Sequence, residues 1–96
     1  MSPRLEVFLV TPEREVWSGE ASMVIARGTE GEVGILAGHA PLLIRLMQGG
    51  SVRIQHEGTE ERAEVQGGFM HVSTDEDVTR VDVLAEGVSL GGGEAG

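Results

Sequence analysis

The sequence predicts an all-β protein, an antiparallel β-sandwich or flattened barrel. Three observations lead to this prediction. About eight or nine short segments are rich in β-branched and other apolar residues, and several of them alternate apolar with polar positions. These segments recur at spacings of about ten residues. Glycines and polar turn residues separate the segments. No segment keeps a helical period for three turns, so the pattern favours packed sheets over helices.

Three strands are predicted in the first part of the chain, over residues 5–10, 15–19 and 21–27. In the first of them, Leu5, Val7 and Leu9 form one apolar face, and the opposite face is also largely apolar. We therefore expect this strand to be buried on much of both faces. Trp17 lies in the second strand, where an aromatic residue at the edge of the core is the simplest interpretation.

Five further strands are predicted over residues 42–47, 51–56, 62–66, 69–73 and 78–85. A polar turn that contains Gly58 joins two of them as a hairpin. In the last strand, Arg80 and Asp82 share a face, which predicts a surface ion pair worth at most about 1 kcal/mol. Residues 87–96 hold five glycines and no burial pattern, so we expect one domain over residues 1–86 and a disordered tail.

Residues 31–43 are predicted to form a shaped loop, because glycines recur through this segment and Pro41 excludes a helix. Its apolar residues are expected to anchor it to the core, so that Glu32 and His39 are the polar side chains that it presents. Two interpretations of His39 remain open. The ring either bonds loop carbonyls and holds the turn that starts at Gly38, or it stands exposed beside Glu32 as a contact for another protein.

Composition limits the partners of the chain. Sixteen acidic residues against seven arginines give a net charge of −9, which opposes binding to nucleic acid or to an anionic membrane surface. A neutral or basic protein partner fits better. The chain has no cysteine, no apolar run near the roughly 20 residues of a membrane span, and no signal-peptide pattern at its start. We expect a soluble protein in the cytoplasm.

Catalytic and cofactor motifs are not found in the sequence. The spacing of Gly28, Gly31 and Gly34 lacks the lysine of a phosphate-binding loop, and Glu30 and Glu32 would repel phosphate. The three histidines and the acidic turn at residues 75–77 have no recognised metal-ligand spacing. No serine stands in a nucleophile elbow. We predict no enzymatic activity, no metal and no cofactor.

Two neighbouring segments resemble a family signature: Glu30-Gly31-Glu32-Val33-Gly34-Ile35 and Gly38-His39-Ala40-Pro41-Leu42-Leu43. They resemble the epsilon subunit of bacterial F-type ATP synthases, called delta in mitochondria, whose signature reads much like EGE-[LV]-GI-x-x-GHAPLL. Further resemblance at residues 5–12, 17–20, 50–54 and 67–72 extends the match from Leu5 to about Ala85. The resemblance implies a sandwich of about ten strands. The C-terminal helical hairpin of the family has no counterpart here, which implies that its inhibitory action on ATP hydrolysis is also missing.

The same resemblance implies a non-catalytic subunit of the central stalk, which links the gamma subunit to the membrane ring of c subunits and couples proton flow to ATP synthesis. The c-ring contact is expected at Glu32, Gly38, His39, Ala40 and Pro41. The gamma contact is expected at Thr11, Met47, Gly50, Ser51 and Val52. The implied location is the cytoplasmic face of the bacterial cell membrane, with no lipid insertion, nucleic acid or small-molecule substrate.

Two alternatives from other classes remain. The chain could be a free-standing β-sandwich module that binds a peptide or small ligand at the glycine-rich loop, which copurification with gamma and c subunits would distinguish. It could also be a small β-barrel enzyme that uses His39 and Glu32, which would require one concave pocket around both residues.

Overall fold

The computed structural model describes residues 3–91 and consists of two packed five-stranded sheets. Its ten strands are β1 (Arg4–Val10), β2 (Glu15–Ala21), β3 (Met23–Gly28), β4 (Gly31–Ile35), β5 (Leu42–Arg45), β6 (Gly50–His56), β7 (Thr59–Gln66), β8 (Phe69–Asp75), β9 (Val78–Leu84) and β10 (Gly87–Leu90). This arrangement confirms the predicted all-β sandwich of about ten strands. Within residues 3–91 no helix is long and apolar enough to cross a membrane.

The strand order is β2-β1-β9-β8-β5 in the first sheet and β10-β7-β6-β3-β4 in the second. Every neighbouring pair is antiparallel except β1 and β9, which run parallel over seven residue pairs. The predicted antiparallel sandwich therefore contains one parallel pair. The first strand of the chain enters between two elements that are far apart in sequence, a long-range pairing that local turn chemistry does not specify.

The core lies between the sheets and follows the predicted alternation. Leu5, Val7 and Leu9 are almost fully buried, as expected for the apolar face of β1. Their partners across the parallel pair are Thr79, Val81 and Val83, which are also buried: Leu5 with Thr79, Val7 with Val81, and Leu9 with Val83. Trp17 packs against this core from its edge, as predicted.

The segment predicted as one long shaped loop is instead a strand followed by a shorter loop. Residues 31–35 form β4, which pairs with β3 in the register Ile25 to Gly34 and Arg27 to Glu32. Glycine does not prevent pairing here, because its backbone N–H and C=O can join a ladder like those of any other residue except proline. The methyl group of Met23 lies 3.0 Å from where a Cβ of residue 34 would stand. A glycine that sequence analysis interpreted as a loop residue is thus a strand residue at a site of close packing.

The tail predicted to be disordered is corrected in its first part. Residues 87–90 form β10, which pairs with β7 in the register Val88 to Val65 and Leu90 to Ala63. Val88 packs against the core, so this strand covers an edge of the second sheet. The remainder of the predicted tail, residues 92–96, lies outside the described residues.

Two turns show how glycine positions fix the topology. The β6–β7 hairpin is confirmed, and its two loop residues, Glu57 and Gly58, both have positive φ, as a tight primed turn requires. Gly68 precedes β8 with a φ of 113°, and a Cβ at this position would stand 2.1 Å from the carbonyl oxygen of Leu84. Only glycine fits where the β7–β8 connection crosses so close to β9.

Candidate protein-binding surfaces

The outer face of the first sheet carries an exposed apolar strip, which we define by Leu43, Phe69 and Leu84. Their exposed fractions are 64%, 44% and 49%. Phe69 lies opposite Leu84 across β8 and β9, and opposite Arg45 across β8 and β5. The guanidinium of Arg45 lies 5.6 Å from the centre of the Phe69 ring. Three large apolar side chains on one face of a small protein are typical of a protein contact.

Thr11 stands next to the apolar strip, at the end of β1. Its backbone N–H donates to the carbonyl of Arg14 over 2.9 Å, which closes the β1–β2 turn. A shallow cavity of about 370 Å³ joins this turn to Phe69 and Leu84. The predicted gamma contact at Thr11 is therefore continuous with an exposed apolar surface.

The other residues predicted to contact gamma differ in exposure. Met47 is 38% exposed and Ser51 is half-buried. Gly50 is buried at the start of β6, and Val52 is fully buried because its side chain points into the core. The side chain of Val52 cannot contact a partner in this fold, since alternation along β6 turns it inward. A gamma contact at Gly50, which lines a surface groove, stays a prediction.

Glu32 lies at the β3–β4 end of the second sheet. It is exposed, and its strand position faces Arg27 across the pair. The preceding turn is tied to the first sheet by the N–H of Thr29, which donates to the carbonyl of Arg45 over 3.0 Å. Glu30 and Glu32 line an open hollow of about 430 Å³ between the edge strands β4 and β5. This end of the sandwich presents two carboxylates.

The loop of residues 36–41 lies at the other end of β4 and is held by four hydrogen bonds. The N–H of Gly38 donates to the buried hydroxyl of Thr79 over 2.7 Å, and the hydroxyl of Thr74 donates to the carbonyl of His39 over 3.2 Å. The N–H of His39 donates to the carbonyl of Leu36 over 3.0 Å. The Nδ1 of His39 donates to the carbonyl of Ala40 over 2.7 Å.

These contacts support the structural interpretation of His39, whose ring bonds its own loop. The alternative, in which His39 stands beside Glu32, is wrong, because the two residues lie towards opposite ends of β4. Glu32 and Ile35 alone are separated by about 10 Å of extended strand, and His39 lies beyond Ile35. A small enzyme that uses both side chains in one pocket is excluded for the same reason.

Titratable side chains in the described part of the chain form ion pairs but no cluster that could hold a metal ion. Within residues 3–91, no group of three or more histidine or acidic side chains is placed to hold one metal ion. The predicted ion pair of Arg80 and Asp82 is confirmed, with Nε 3.0 Å from Oδ2. The hydrogen bond from Arg80 to Asp82 and the charge of Asp82 raise the pKa of Arg80 above its ordinary value. The pair is a structural feature of β9.

Sequence reasoning missed the apolar strip. A signal was present, because alternation places Leu84 on the same outward face of β9 as Arg80 and Asp82. Phe69 and Leu43 were assigned to strands without a prediction of which side faces outward. Only the pairing of β5, β8 and β9 brings the three side chains onto one surface.

Comparisons with known proteins agree with the fold. A family model described as "ATP synthase, Delta/Epsilon chain, beta-sandwich domain" matches residues 4–91. A protein of Frankia casuarinae named ATP synthase epsilon chain is 48% identical over 86 residues, which cover 90% of this chain and 96% of the relative. The epsilon chain of Thermobifida fusca is 51% identical over 88 residues, but this chain spans only 62% of its length.

Solved structures give the same result. The chain is similar to part of the mitochondrial ATP synthase of Euglena gracilis, determined as an assembly of OSCP, F1 and c-ring, with a TM-score of 0.81 and 26% identity. The match covers 94% of this chain and 56% of the other. A second similarity, to the central stalk and c-ring of the ATP synthase of Tetrahymena thermophila, has a TM-score of 0.68 at 21% identity and supports the fold alone.

Proposed function

We propose that this chain, which belongs to the family of ATP synthase delta/epsilon β-sandwich domains, is a subunit of the rotor of an F-type ATP synthase. In this role it links the gamma subunit to the ring of c subunits and has no catalytic activity of its own. It transmits torque while proton flow turns the ring and ATP is made elsewhere in the complex. Its location is the cytoplasmic face of the bacterial membrane, as a peripheral subunit.

The observation that carries this proposal is the apolar strip of Leu43, Phe69 and Leu84. A free monomer gains nothing from three large apolar side chains exposed at 44% to 64% on one sheet face. Because these side chains are already about half buried, covering the rest of each against a partner would stabilise the complex by about 1–1.5 kcal/mol. We assign the Phe69 and Leu84 part of this strip, together with the adjoining Thr11, to the gamma contact. Leu43, at the other end of the strip, also lines the hollow beside Glu32.

The c-ring contact is proposed at the acidic end of the second sheet. Glu32 and Glu30 are exposed there and border the hollow between β4 and β5. An arginine on a loop of the ring would bind such a carboxylate through a charge-assisted hydrogen bond. The contact of the c ring with Gly38, His39, Ala40 and Pro41 stays a prediction. Their loop lies at the opposite end of β4 from Glu32, so it would form a second point of contact.

A rigid sandwich suits a subunit that carries load between two partners. The two sheets share one continuous core of fully buried aliphatic side chains, and each inner strand is hydrogen-bonded on both sides. Deforming such a body requires the loss of close packing and of ladder hydrogen bonds together. The apolar strip and Glu32 therefore keep a fixed distance while the assembly turns.

Binding to gamma tests the proposal. We expect Phe69→Gln and Leu84→Gln each to weaken binding of the purified chain to gamma about tenfold or more, since each removes a large apolar contact. The matched control is Leu36→Gln, which changes an equally exposed leucine on the β4–β5 loop and should leave binding unchanged.

Thermal unfolding of each variant establishes that the fold is retained before binding is compared. If wild-type chain does not copurify with gamma and c subunits, the rotor proposal fails in favour of a free-standing binding module. If Leu36→Gln weakens gamma binding as much as Phe69→Gln does, the assignment of the apolar strip is wrong.

A further inference from the structure

A contact between the two sheets has features that the proposed function does not use. Trp17 stands on β2 of the first sheet, and His56 ends β6 of the second sheet. Their rings meet across the sandwich, with centroids 5.0 Å apart and planes tilted by 53°. Glu61 on β7 lies beside them, since its Oε2 is 3.7 Å from Nε2 of His56. We call these three residues the His56 cluster.

The Nε2 atom of His56 is buried and has no hydrogen-bond partner among the described residues. Its distance to the carboxylate of Glu61 exceeds the roughly 2.7–3.2 Å of a hydrogen bond. A buried polar atom without a partner is unfavourable, so a movement that engages one is favoured. The side chain of Glu61 is 43% exposed and has room to approach. The cluster is therefore one short movement away from a closed arrangement.

Protonation of the imidazole favours that movement. Histidine is the side chain that ordinarily changes its charge between about pH 8 and pH 5. A charged His56 attracts the carboxylate of Glu61, and a charge-assisted hydrogen bond is shorter and stronger than a neutral one. The same charge lies within the range of about 6 Å at which a cation interacts with the face of an indole, here that of Trp17. Both interactions stabilise the closed arrangement only when the ring is charged.

The other charged groups on β6, β7 and the turn between them leave Glu61 available. Arg53 pairs with Glu60, with Nε 3.5 Å from Oε2. These two residues and Arg62 stand on the outward side of the second sheet, because they alternate with the buried residues of β6 and β7. Glu57, in the turn, is exposed. Among the described residues, Glu61 has no ion pair except the one with the imidazole.

The strands on either side of the cluster bring no competing cation. On β2 the charged residues are Glu15, whose carboxylate accepts the hydroxyl of Ser18 over 2.8 Å, and Glu20. Glu20 lies opposite Glu6, on the outward side of the first sheet. The one charged residue of β3 is Arg27, at the end of that strand farther from the cluster. The charge of the imidazole therefore decides whether the cluster closes.

We propose that the His56 cluster is a proton-responsive clasp between the two sheets. While His56 is neutral, Nε2 and the carboxylate of Glu61 stay apart. When the ring takes up a proton, it bonds this carboxylate and packs more closely against Trp17. Acidification thereby fastens β2, an edge strand of the first sheet, to the second sheet. The proposal is independent of the assigned gamma and c-ring contacts, which include none of the three residues.

Quenching of tryptophan fluorescence by acrylamide tests this proposal on the whole chain, because Trp17 is the only tryptophan. A closed clasp shields the indole. The quenching constant should therefore be about twofold lower at about pH 5 than at about pH 8, a change in an open–closed equilibrium that a partly exposed ion pair can produce. His56→Phe keeps an aromatic ring against Trp17 but takes up no proton, so it should abolish the pH dependence. Glu61→Gln should remove most of it, since the charged imidazole then lacks its carboxylate.

The matched control is His71→Gln, which removes an exposed histidine from β8 and should respond to pH as the wild type does. Circular dichroism at both pH values establishes that each variant is folded, and His56→Gln is the second variant if phenylalanine does not fit. The proposal is overturned if quenching of the wild type is the same at both pH values. It is also overturned if the folded His56 variant or Glu61→Gln keeps the full response.

Discussion

The two ends of β4 solve different problems with similar sequence. At one end, Glu30 and Glu32 precede and follow Gly31, and both residues are exposed beside an open hollow. At the other end, Gly38 and His39 also combine a glycine with a polar residue, but hydrogen bonds to Thr79 and within the loop hold them in place. We call the Glu30–Glu32 end, whose carboxylates are exposed, the presenting end, and the Gly38–His39 end, which hydrogen bonds hold in place, the anchored end. Substitution at the presenting end should weaken binding and leave stability nearly unchanged. Substitution at the anchored end should lower stability and leave binding nearly unchanged.

The largest effect on stability is expected from Thr79→Val. Valine keeps the shape of the side chain but removes the hydroxyl that accepts the N–H of Gly38, and Thr79 is 1% exposed. Leaving that N–H without its partner should cost about 1–3 kcal/mol in the free energy of unfolding, measured by urea titration.

Thr79→Ser is the control, since it keeps the oxygen and loses only a methyl group. We expect it to cost less than Thr79→Val. If the valine variant were as stable as wild type, the anchored end would not depend on this bond, and the contrast between the two ends of β4 would be lost.

A smaller loss of stability is expected from His39→Ala. This change removes the bond from Nδ1 of His39 to the carbonyl of Ala40 at a partly exposed site, so we expect a cost of about 0.5–1.5 kcal/mol. Thermal unfolding measures it. His39→Asn, which retains a side-chain donor, should recover part of the loss.

Binding to the c ring sharpens the interpretation of His39. A variant that is destabilised yet binds the ring normally once folded would confirm an anchoring role. Selective loss of ring binding in a variant of wild-type stability would instead restore His39 as a contact residue.

The presenting end should behave in the reverse way. Glu32→Gln removes an exposed charge for which no ion pair is found in the described residues, so the free energy of unfolding should stay within about 0.5 kcal/mol of wild type. Binding of the assembled gamma complex to c rings should weaken, and the weakening should shrink at high salt.

Glu57→Gln is the matched control for this charge, because it removes an exposed carboxylate from the β6–β7 turn. Equal loss of ring binding in both variants would mean that net charge, and not the position of Glu32, decides the interaction.

The sequence was sufficient for the parts of this protein that local rules determine. Alternation predicted the buried face of β1 and the ion pair of Arg80 and Asp82, and a glycine in a polar turn predicted the β6–β7 hairpin. These features depend on neighbouring residues within one or two strands.

What could not be predicted depends on pairing between distant segments. The parallel contact of β1 with β9 joins residues about seventy positions apart, and no turn between them specifies it. The same holds for the apolar strip, which requires β5, β8 and β9 to be neighbours. Residues 31–35 were misassigned because glycine was interpreted as a loop signal, although Gly34 lies in a strand, where it packs against the terminal methyl group of Met23. That error also placed Glu32 beside His39.

The smallest expected effect is the coupling between the two ends of β4. Glu32 and His39 share no hydrogen bond or ion pair in the described residues and are separated by most of the strand. The stability changes of Glu32→Gln and His39→Ala should therefore add in the double variant, with a coupling below about 0.5 kcal/mol. The changes in the free energy of binding to the c ring should likewise add in the double variant. A coupling above about 1 kcal/mol in either measurement would mean that the two side chains act as one unit after all, through a contact made only in the assembled rotor.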